Sequence, residues 1–351
     1  MITLSEKEIA SQSKLKKLKP LIYNKVIKYD EKLARGESVA QIQLQYNYVC
    51  NMQCIHCSIS EFQTQNKSRT LTIADVKSIA DQADALGLAH MVITGGEPTL
   101  FKDLDKIVEA IGPDRFWISC DSNGWLMNDK KAKYFKDIGI EKVHLSLDSL
   151  DEQAHDNFRK TPKSWRRAIE SIDSMQKAGI SVLINTVVTH QRAQTDEFLT
   201  FLKATHSKNV PVNICWAKPI GMWAGHYEGL VTRGDVNYVT KLGKLYNATD
   251  HTNQITFGRH IGCFAVKRMM SITQYGDAMP CPWMYFKLGN IFEMSLKDIL
   301  EKGMKYFSHF EPSCLVGTNP EFIKKYISQT WGKEVPVPIE EILPLNWKTN
   351  E

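Results

Sequence analysis

Three of the eight cysteines fall within eight positions, in the run CNMQCIHC at residues 50–57. Cys50, Cys54 and Cys57 form a C-x3-C-x2-C pattern, and thiolates at this spacing on a tight loop can converge on one soft-metal site. Zinc would want a fourth ligand, and His56 lies too close in sequence to share the ion with both neighbouring cysteines. Three thiolates on an iron–sulfur cubane instead leave one iron open to a small chelating molecule. A set of buried or zinc-binding thiols is the competing reading. Cys263 and Cys281 form a second set, spaced C-x12-G-x4-C around Gly276. Tyr275-Gly276-Asp277 reads as a hairpin turn that returns Cys281 beside Cys263, and Cys314 follows. Cys120 and Cys215 stand alone near strand ends, where an isolated cysteine is commonly a core thiol.

The elements that must position these groups begin near residue 42, where short β-rich runs alternate with longer charged helical stretches. The pattern predicts strands over 42–49, 90–95, 115–120, 142–148, 181–188 and 212–217. Helices between them imply right-handed βαβ units and a parallel sheet, open or curled into a full or partial barrel. Ligands of such sheets sit at the C-terminal strand ends, and the sequence concentrates its motifs there. The second strand runs into TGGEPTL (94–100), where Gly95 and Gly96 expose backbone groups and Pro98 fixes the turn. The third runs into DSNGWLM with the turn pair Asn123-Gly124. The fourth ends in LSLDS, followed by HDNFR (155–159). After residue 218 strands become short and Gly, Trp, Tyr and Met become common. A smaller α+β region is expected over 219–320, then a tail over 321–351 whose prolines cannot continue a helix. Residues 1–41 read as a basic helical extension. Its KLKKLK run (14–19) is either a contact for an acidic partner or a solvated helix face.

With 351 residues, 43% hydrophobic and 24% charged, disorder, a collagen-like chain and a disulfide scaffold are excluded. A net charge of +5 is mildly basic; no nucleic-acid partner is expected. The N-terminus lacks an apolar signal segment, and no stretch approaches ~18 uninterrupted apolar residues. The expected location is cytoplasmic, with no membrane partner and reduced thiols.

With the cysteine loop, the GGEP element and the LSLDS strand end in place, the chain resembles the radical S-adenosylmethionine (SAM) superfamily. That resemblance implies a (β/α)6 partial, TIM-like barrel. It implies a [4Fe–4S] cluster on Cys50, Cys54 and Cys57, whose fourth iron is chelated by SAM. One electron then cleaves SAM to methionine and a 5′-deoxyadenosyl radical that abstracts a hydrogen atom from substrate. Gly95, Gly96 and Glu97 are implied to bind the SAM amino group, Ser146 to face the ribose and carboxylate, and Arg159 to pair with the carboxylate. Asp148 belongs to the same S-x-D element; Asn123 and Asn185 are weaker contacts. His56 stands where the family often places an aromatic ring, and Ser122 where Thr is commoner. Cys120 and Cys215 become alternative hydrogen-atom donors to a substrate radical. Trp216, Trp223, Tyr227, Trp283 and Tyr285 either line the substrate cavity or belong to the core.

The segment GCFAVKRMMSITQYGDAMPCPWMYFKLGNIFEMSLKDIL resembles the opening of the superfamily's SPASM and twitch domains. A full SPASM domain continues with a longer cysteine run and two auxiliary clusters; this chain has only Cys314 after Cys281. A small C-terminal twitch/SPASM-like domain with one auxiliary [4Fe–4S] cluster on Cys263, Cys281 and Cys314 is therefore expected. Its fourth position falls to a substrate group, a non-cysteine residue or Cys215. The branch suggests a maturase of ribosomally made peptides performing epimerisation, cross-linking or splicing, with a separate leader-binding protein and a flavodoxin- or ferredoxin-type electron donor. The alternatives are a small-molecule radical SAM enzyme of antibiotic or cofactor biosynthesis, and a non-catalytic iron–sulfur protein. The terminal WKTNE, not Gly-Gly, argues against the molybdenum-cofactor cyclase in particular.

Overall fold

In the computed structural model, which describes residues 13–347 apart from residues 254, 257 and 258, the alternating runs fold as βαβ units. Residues 1–12 of the extension and 348–351 of the tail lie outside the described residues. Strands β1 (Gln41–Asn47), β2 (His90–Gly95), β3 (Trp117–Ser122), β4 (Lys142–Ser146), β5 (Ser181–Val188) and β6 (Val212–Trp216) pair in chain order, all parallel. A short β7 (Ala248–Thr249) extends the sheet beyond β6. This is the partial TIM-like barrel of an α/β fold.

The helices between strands are set by local signals. Thr72 and Asp75 form a capping box that starts one helix at Ile73–Ala85, and Gly139, left-handed at φ +104°, ends another at Asp129–Ile138. Only β2 and β5 keep their expected bounds; β1 runs 41–47 rather than 42–49 and β6 stops at Trp216, and the shifts in β3 and β4 have a visible local cause. Arg115 and Phe116 bond back to the Gly112 carbonyl, so β3 begins only at Trp117 and runs on to Ser122. Asp148 turns its N–H to His155 Nδ1, so β4 ends at Ser146.

The C-terminal region joins the same sheet. Strand β8 (Met269–Ile272) pairs parallel with β1, Gln41 opposite Met269, and β9 (Asp277–Met279) and β10 (Gly289–Asn290) follow antiparallel. They cover the β1 edge that would otherwise expose unpaired backbone. Residues 321–347 pack on this region: Val337 pairs with Phe286, and buried Trp347 donates from Nε1 to the Tyr306 carbonyl at 2.9 Å.

The lysine-rich N-terminus is only partly a solvated face. Lys14, Lys16 and Lys17 are exposed. Lys19 bonds the Pro113 carbonyl at 2.9 Å and Glu141 at 2.8 Å, Lys25 the Arg115 carbonyl at 2.8 Å, and Lys32 the Leu86 carbonyl at 2.9 Å. These contacts lie on segments entering β2, β3 and β4, so the helices Pro20–Val26 and Tyr29–Ala34 close the barrel end opposite the motifs. Among the described residues no helix is long and apolar enough to cross a membrane.

Candidate active site

At the C-terminal ends of β1 and β2, two glycines permit a close approach between backbone segments. A Cβ on Gly95 would lie 2.2 Å from the Asn47 carbonyl oxygen, and one on Gly96 2.0 Å from that of Val49. Gly96 and Glu97 donate their N–H groups to those carbonyls at 2.8 and 2.9 Å. The GGEP turn is thereby pressed against the chain entering the cysteine loop. Glu97 is buried; its Oε1 accepts from Thr99 N, Thr99 Oγ1 and Ser122 Oγ, and its Oε2 from Asn123 N at 2.7 Å. Oε2 thus retains capacity for a further donor. Burial raises the Glu97 pKa against these hydrogen bonds. Asn123 reaches across from β3 to the loop itself, donating to Asn51 Oδ1 at 2.9 Å.

These groups surround a cavity of about 210 Å³ lined by Cys50, Cys54, Cys57, Gly95, Gly96, Glu97, Asn123, Ser146 and Arg159. Nine of the residues singled out in the sequence therefore meet at one opening. Among the described residues no three His, Cys, Asp or Glu side chains close on a single ion. Three thiols facing one cavity, with carboxylate, guanidinium, amide and hydroxyl groups beside them, fit an iron–sulfur cluster carrying an amino-acid-like ligand.

Asp148 and Arg159 do not stand apart to await a ligand. Arg159, at the end of the helix Glu152–Arg159, donates to Asp148 Oδ2 from Nε at 2.8 Å. The other Asp148 oxygen accepts the Val187 N–H at 2.9 Å. Burial raises the Asp148 pKa, but Arg159, His56 and His155 outweigh it and hold the carboxyl down to about 2. The ion pair ties β4, β5 and the helix together beneath the loop. His56 stacks on Phe158 with centroids 4.2 Å apart and meets Trp223 at 5.7 Å. Burial, then the Arg159 charge, lowers its pKa to about 3. A neutral histidine thus serves as the ring that the loop places before its third cysteine.

Below the opening, strand alternation decides which side chains face inward. Asp121 lines the cavity, so its neighbour Cys120 points the other way, fully buried in the core. The hydrogen-donor expectation for Cys120 has no geometric support. On β6, Asn213 and Cys215 share a face; Asn213 Nδ2 donates to Asn185 Oδ1 at 2.9 Å and lies 3.4 Å from Cys215 Sγ. Burial pushes the Cys215 pKa up to about 11, so the thiol keeps its hydrogen at neutral pH. Asn185 sits opposite Ser146 in the ladder. Trp223 stands beside the loop and Trp283 lines the cavity, whereas Trp216 and Tyr285 are core.

Several polar groups here were not singled out in the sequence. Gln43 and Gln45 line the cavity, and the IQLQ alternation of β1 carried that signal. Asp121 Oδ1 and His144 Nδ1 are 2.7 Å apart across the β3–β4 ladder. Buried Lys218 bonds the Trp216 carbonyl at 2.8 Å and lies 4.2 Å from the Trp283 ring centroid.

Cys263, Cys281 and Cys314 meet in a second cavity. The β8–β9 hairpin turns at Gly276, where φ is +78° and a Cβ would lie 2.8 Å from Asn290 Oδ1. Cys263 N donates to the Glu311 carbonyl at 2.7 Å, which draws the Cys314 segment alongside. His251 also lines this cavity; Cys215 does not.

Comparison with known proteins agrees with this geometry. The profile of the radical SAM superfamily matches residues 44–202, and that of an iron–sulfur cluster-binding domain, SPASM, matches residues 263–316. A probable GTP 3′,8-cyclase of Pyrobaculum aerophilum is 26% identical over 212 residues, 59% of this chain and 68% of the relative. An AdoMet-dependent heme synthase of Methanosarcina barkeri is 22% identical over 296 residues, 76% of this chain and 84% of the relative. Among solved structures, Streptococcus suis SuiB bound to precursor peptide SuiA superposes with a TM-score of 0.61 at 18% identity, covering 78% of this chain and 67% of SuiB. Native anSMEcpe with AdoMet and the Cp18Cys peptide gives a TM-score of 0.58 at 17% identity, covering 81% and 82%. The chain belongs to the radical SAM superfamily, in the branch whose barrel is followed by a SPASM-type iron–sulfur domain, and is a radical SAM enzyme.

Proposed function

We propose that this enzyme abstracts a hydrogen atom from a carbon of a peptide and so modifies it after translation. The cluster and SAM, when bound, supply a one-electron cleavage that yields a carbon-centred radical. Cys50, Cys54 and Cys57 would hold that cluster. The Gly95–Gly96 backbone and Glu97 Oε2 would take the SAM amino group, and Asn123, Ser146 and Asn185 its remaining polar edges. Arg159, already paired with Asp148, would offer its free edge to the SAM carboxylate and the loop. The barrel floor, closed by the N-terminal helices, keeps bulk water from the radical. Cys215 presents a protonated thiol on the inner face, suited to returning a hydrogen atom to substrate.

The observation that carries the peptide reading lies beside the cysteine loop. Val49, next to Cys50, and Met222, whose N–H bonds the Cys57 carbonyl at 3.0 Å, are both large, apolar and exposed. Exposed apolar side chains flanking the loop suit contact with an extended chain that inserts one side chain into the cavity. Peptides bound to SuiB and anSMEcpe support the same reading. A leader-binding protein and a flavodoxin- or ferredoxin-type donor are the partners this reading implies. The second reading, a small-molecule substrate, draws on the curated relatives that act as GTP cyclase and heme synthase.

The test is an anaerobic assay with the reconstituted enzyme, SAM, dithionite and short peptides encoded beside the gene. A peptide that changes mass in step with 5′-deoxyadenosine release is expected. Release accelerated by a nucleotide or porphyrin and by none of the peptides would overturn the peptide reading.

A further inference from the structure

The second cavity holds more than its three thiols. Of the residues lining it, four carry a thiol or imidazole, namely Cys263, Cys281, Cys314 and His251; the others are apolar or thioether side chains and Trp283. A cubane has four irons, each taking one outward ligand, so the donors facing this cavity equal the ligands it needs. These side chains do not close on a single ion, nor does a cubane ask them to, since each binds its own iron.

The placement of His251 is built rather than incidental. It follows β7 in a turn organised by buried Asp250, whose Oδ1 accepts the Thr252 N–H at 2.9 Å and whose Oδ2 accepts from Asn253 Nδ2. The imidazole then packs between aromatic residues of both cysteine segments. Phe264, next to Cys263, lies 5.3 Å away between centroids, and Trp283, two residues beyond Cys281, lies 6.0 Å away at 28°. Cys314 faces the same cavity. One imidazole thus packs against the aromatic neighbours of Cys263 and Cys281 in a cavity that all three thiols line.

We propose that His251 is the fourth protein ligand of the auxiliary cluster, completing a Cys263, Cys281, Cys314 and His251 set. The proposal rests on the reading that this region holds such a cluster. With four protein ligands no iron is left open, so substrate does not bind the auxiliary cluster. The cluster instead exchanges electrons, at a potential higher than four thiolates would give, because imidazole in place of thiolate raises cluster potentials.

The experiment uses full-length Cys54→Ala protein, reconstituted anaerobically, so that the auxiliary cluster is the iron present. Pulsed EPR of the dithionite-reduced sample, with natural-abundance and 15N-labelled histidine, reads the ligand directly. The expected result is a nitrogen coupling that changes with the 15N label and disappears in Cys54→Ala/His251→Ala. Because that alanine can cost stability, Cys54→Ala/His251→Cys provides a four-ligand control, expected to keep its iron while losing the coupling and shifting to a lower potential. Iron without nitrogen coupling, or coupling that survives in both His251 variants, overturns the His251 assignment alone. A Cys54→Ala protein without iron overturns the auxiliary-cluster reading, and the assignment with it.

Discussion

Arg159 grips Asp148 with Nε at 2.8 Å and Nη2 at 2.6 Å while its Nη1 lies 3.9 Å from Cys54 Sγ. One guanidinium therefore links the end of β4 to the loop that carries the first three cysteines. Both side chains are nearly inaccessible to water. Replacing Asp148 by Asn leaves a buried charge without its counter-charge, which typically costs about 3–5 kcal/mol. Urea unfolding of the apoprotein at pH 7 should show a loss of that order. The Asp148 carboxyl is depressed to about 2 in the fold, against ~3.9 in an unfolded chain. Its contribution is fully present above the unfolded value and is lost as pH falls through the folded one. The gap between wild type and Asp148→Asn should therefore be constant from neutral pH to about pH 5 and narrow below pH ~4. A gap unchanged at pH 2 would show that the pair is not what Asp148 contributes.

Gly96→Ala tests the approach of the GGEP turn to the cysteine loop. The added methyl would sit 2.0 Å from the Val49 carbonyl oxygen, and backbone rather than a flexible side chain must give way. A cost of about 1–3 kcal/mol is expected, together with weaker SAM binding because the displaced segment leads into Cys50. Calorimetric titration of the reconstituted protein with SAM would check it. Unaltered affinity would separate the turn from the ligand.

Iron content separates the two cysteine sets. Wild type should bind about eight iron per chain, and Cys54→Ala and Cys263→Ala about four each. Only Cys263→Ala should still form 5′-deoxyadenosine, because its cavity is distinct from the one at the β1–β2 end. Four iron in wild type would remove the auxiliary cluster.

What was legible in the sequence was local. The parallel sheet announced itself because each βαβ unit is a short periodic segment. Gly95 and Gly96 stood out because only a residue without Cβ tolerates those contacts. The groups that escaped notice meet through register or distant packing. Asp121 and His144 are 23 residues apart and touch only because β3 and β4 pair with that offset. Strand β8, four residues long, joins β1 across more than two hundred positions with no signal in either run. Lys19, in a run with the look of a solvated face, anchors the extension to Glu141. Cys120 and Cys215 looked equivalent as strand-end thiols, and strand alternation separates them: Cys120 lies on the face opposite that of Asp121, which lines the cavity, whereas Cys215 shares the inner face with Asn213.

That difference between the two thiols is testable. Cys215→Ser should leave 5′-deoxyadenosine formation intact but reduce product, or divert it to a form that lacks the returned hydrogen, because serine is a poor hydrogen-atom donor. Cys120→Ser places a hydroxyl in a fully buried apolar site; its cost is stability, about 1–3 kcal/mol, with the product pattern unchanged. Mass spectrometry in deuterated water, where the exchangeable thiol carries deuterium, would detect label delivered by Cys215 and lost in Cys215→Ser. Label retained in that variant would exclude the thiol as the donor.

Lys218 lies where the two cavities adjoin. Its ammonium rests on Trp283, a ring that lines both, and its charge is felt at Cys281 and Cys314 as well as at Cys215. Reduction adds negative charge to a cluster, so a buried cation nearby stabilises the reduced form. Lys218→Met keeps most of the side-chain volume and removes that charge. The auxiliary potential should fall by on the order of 1–2 kcal/mol, or ~50–90 mV for one electron. Because Lys218 also hydrogen-bonds the Trp216 carbonyl, the variant should lose about 1–3 kcal/mol of stability as well. Potentiometry on the Cys54→Ala background reads the auxiliary cluster alone. Lys218→Arg keeps the cation and should restore the potential; a potential indifferent to both substitutions would mean that the charge does not act on the cluster.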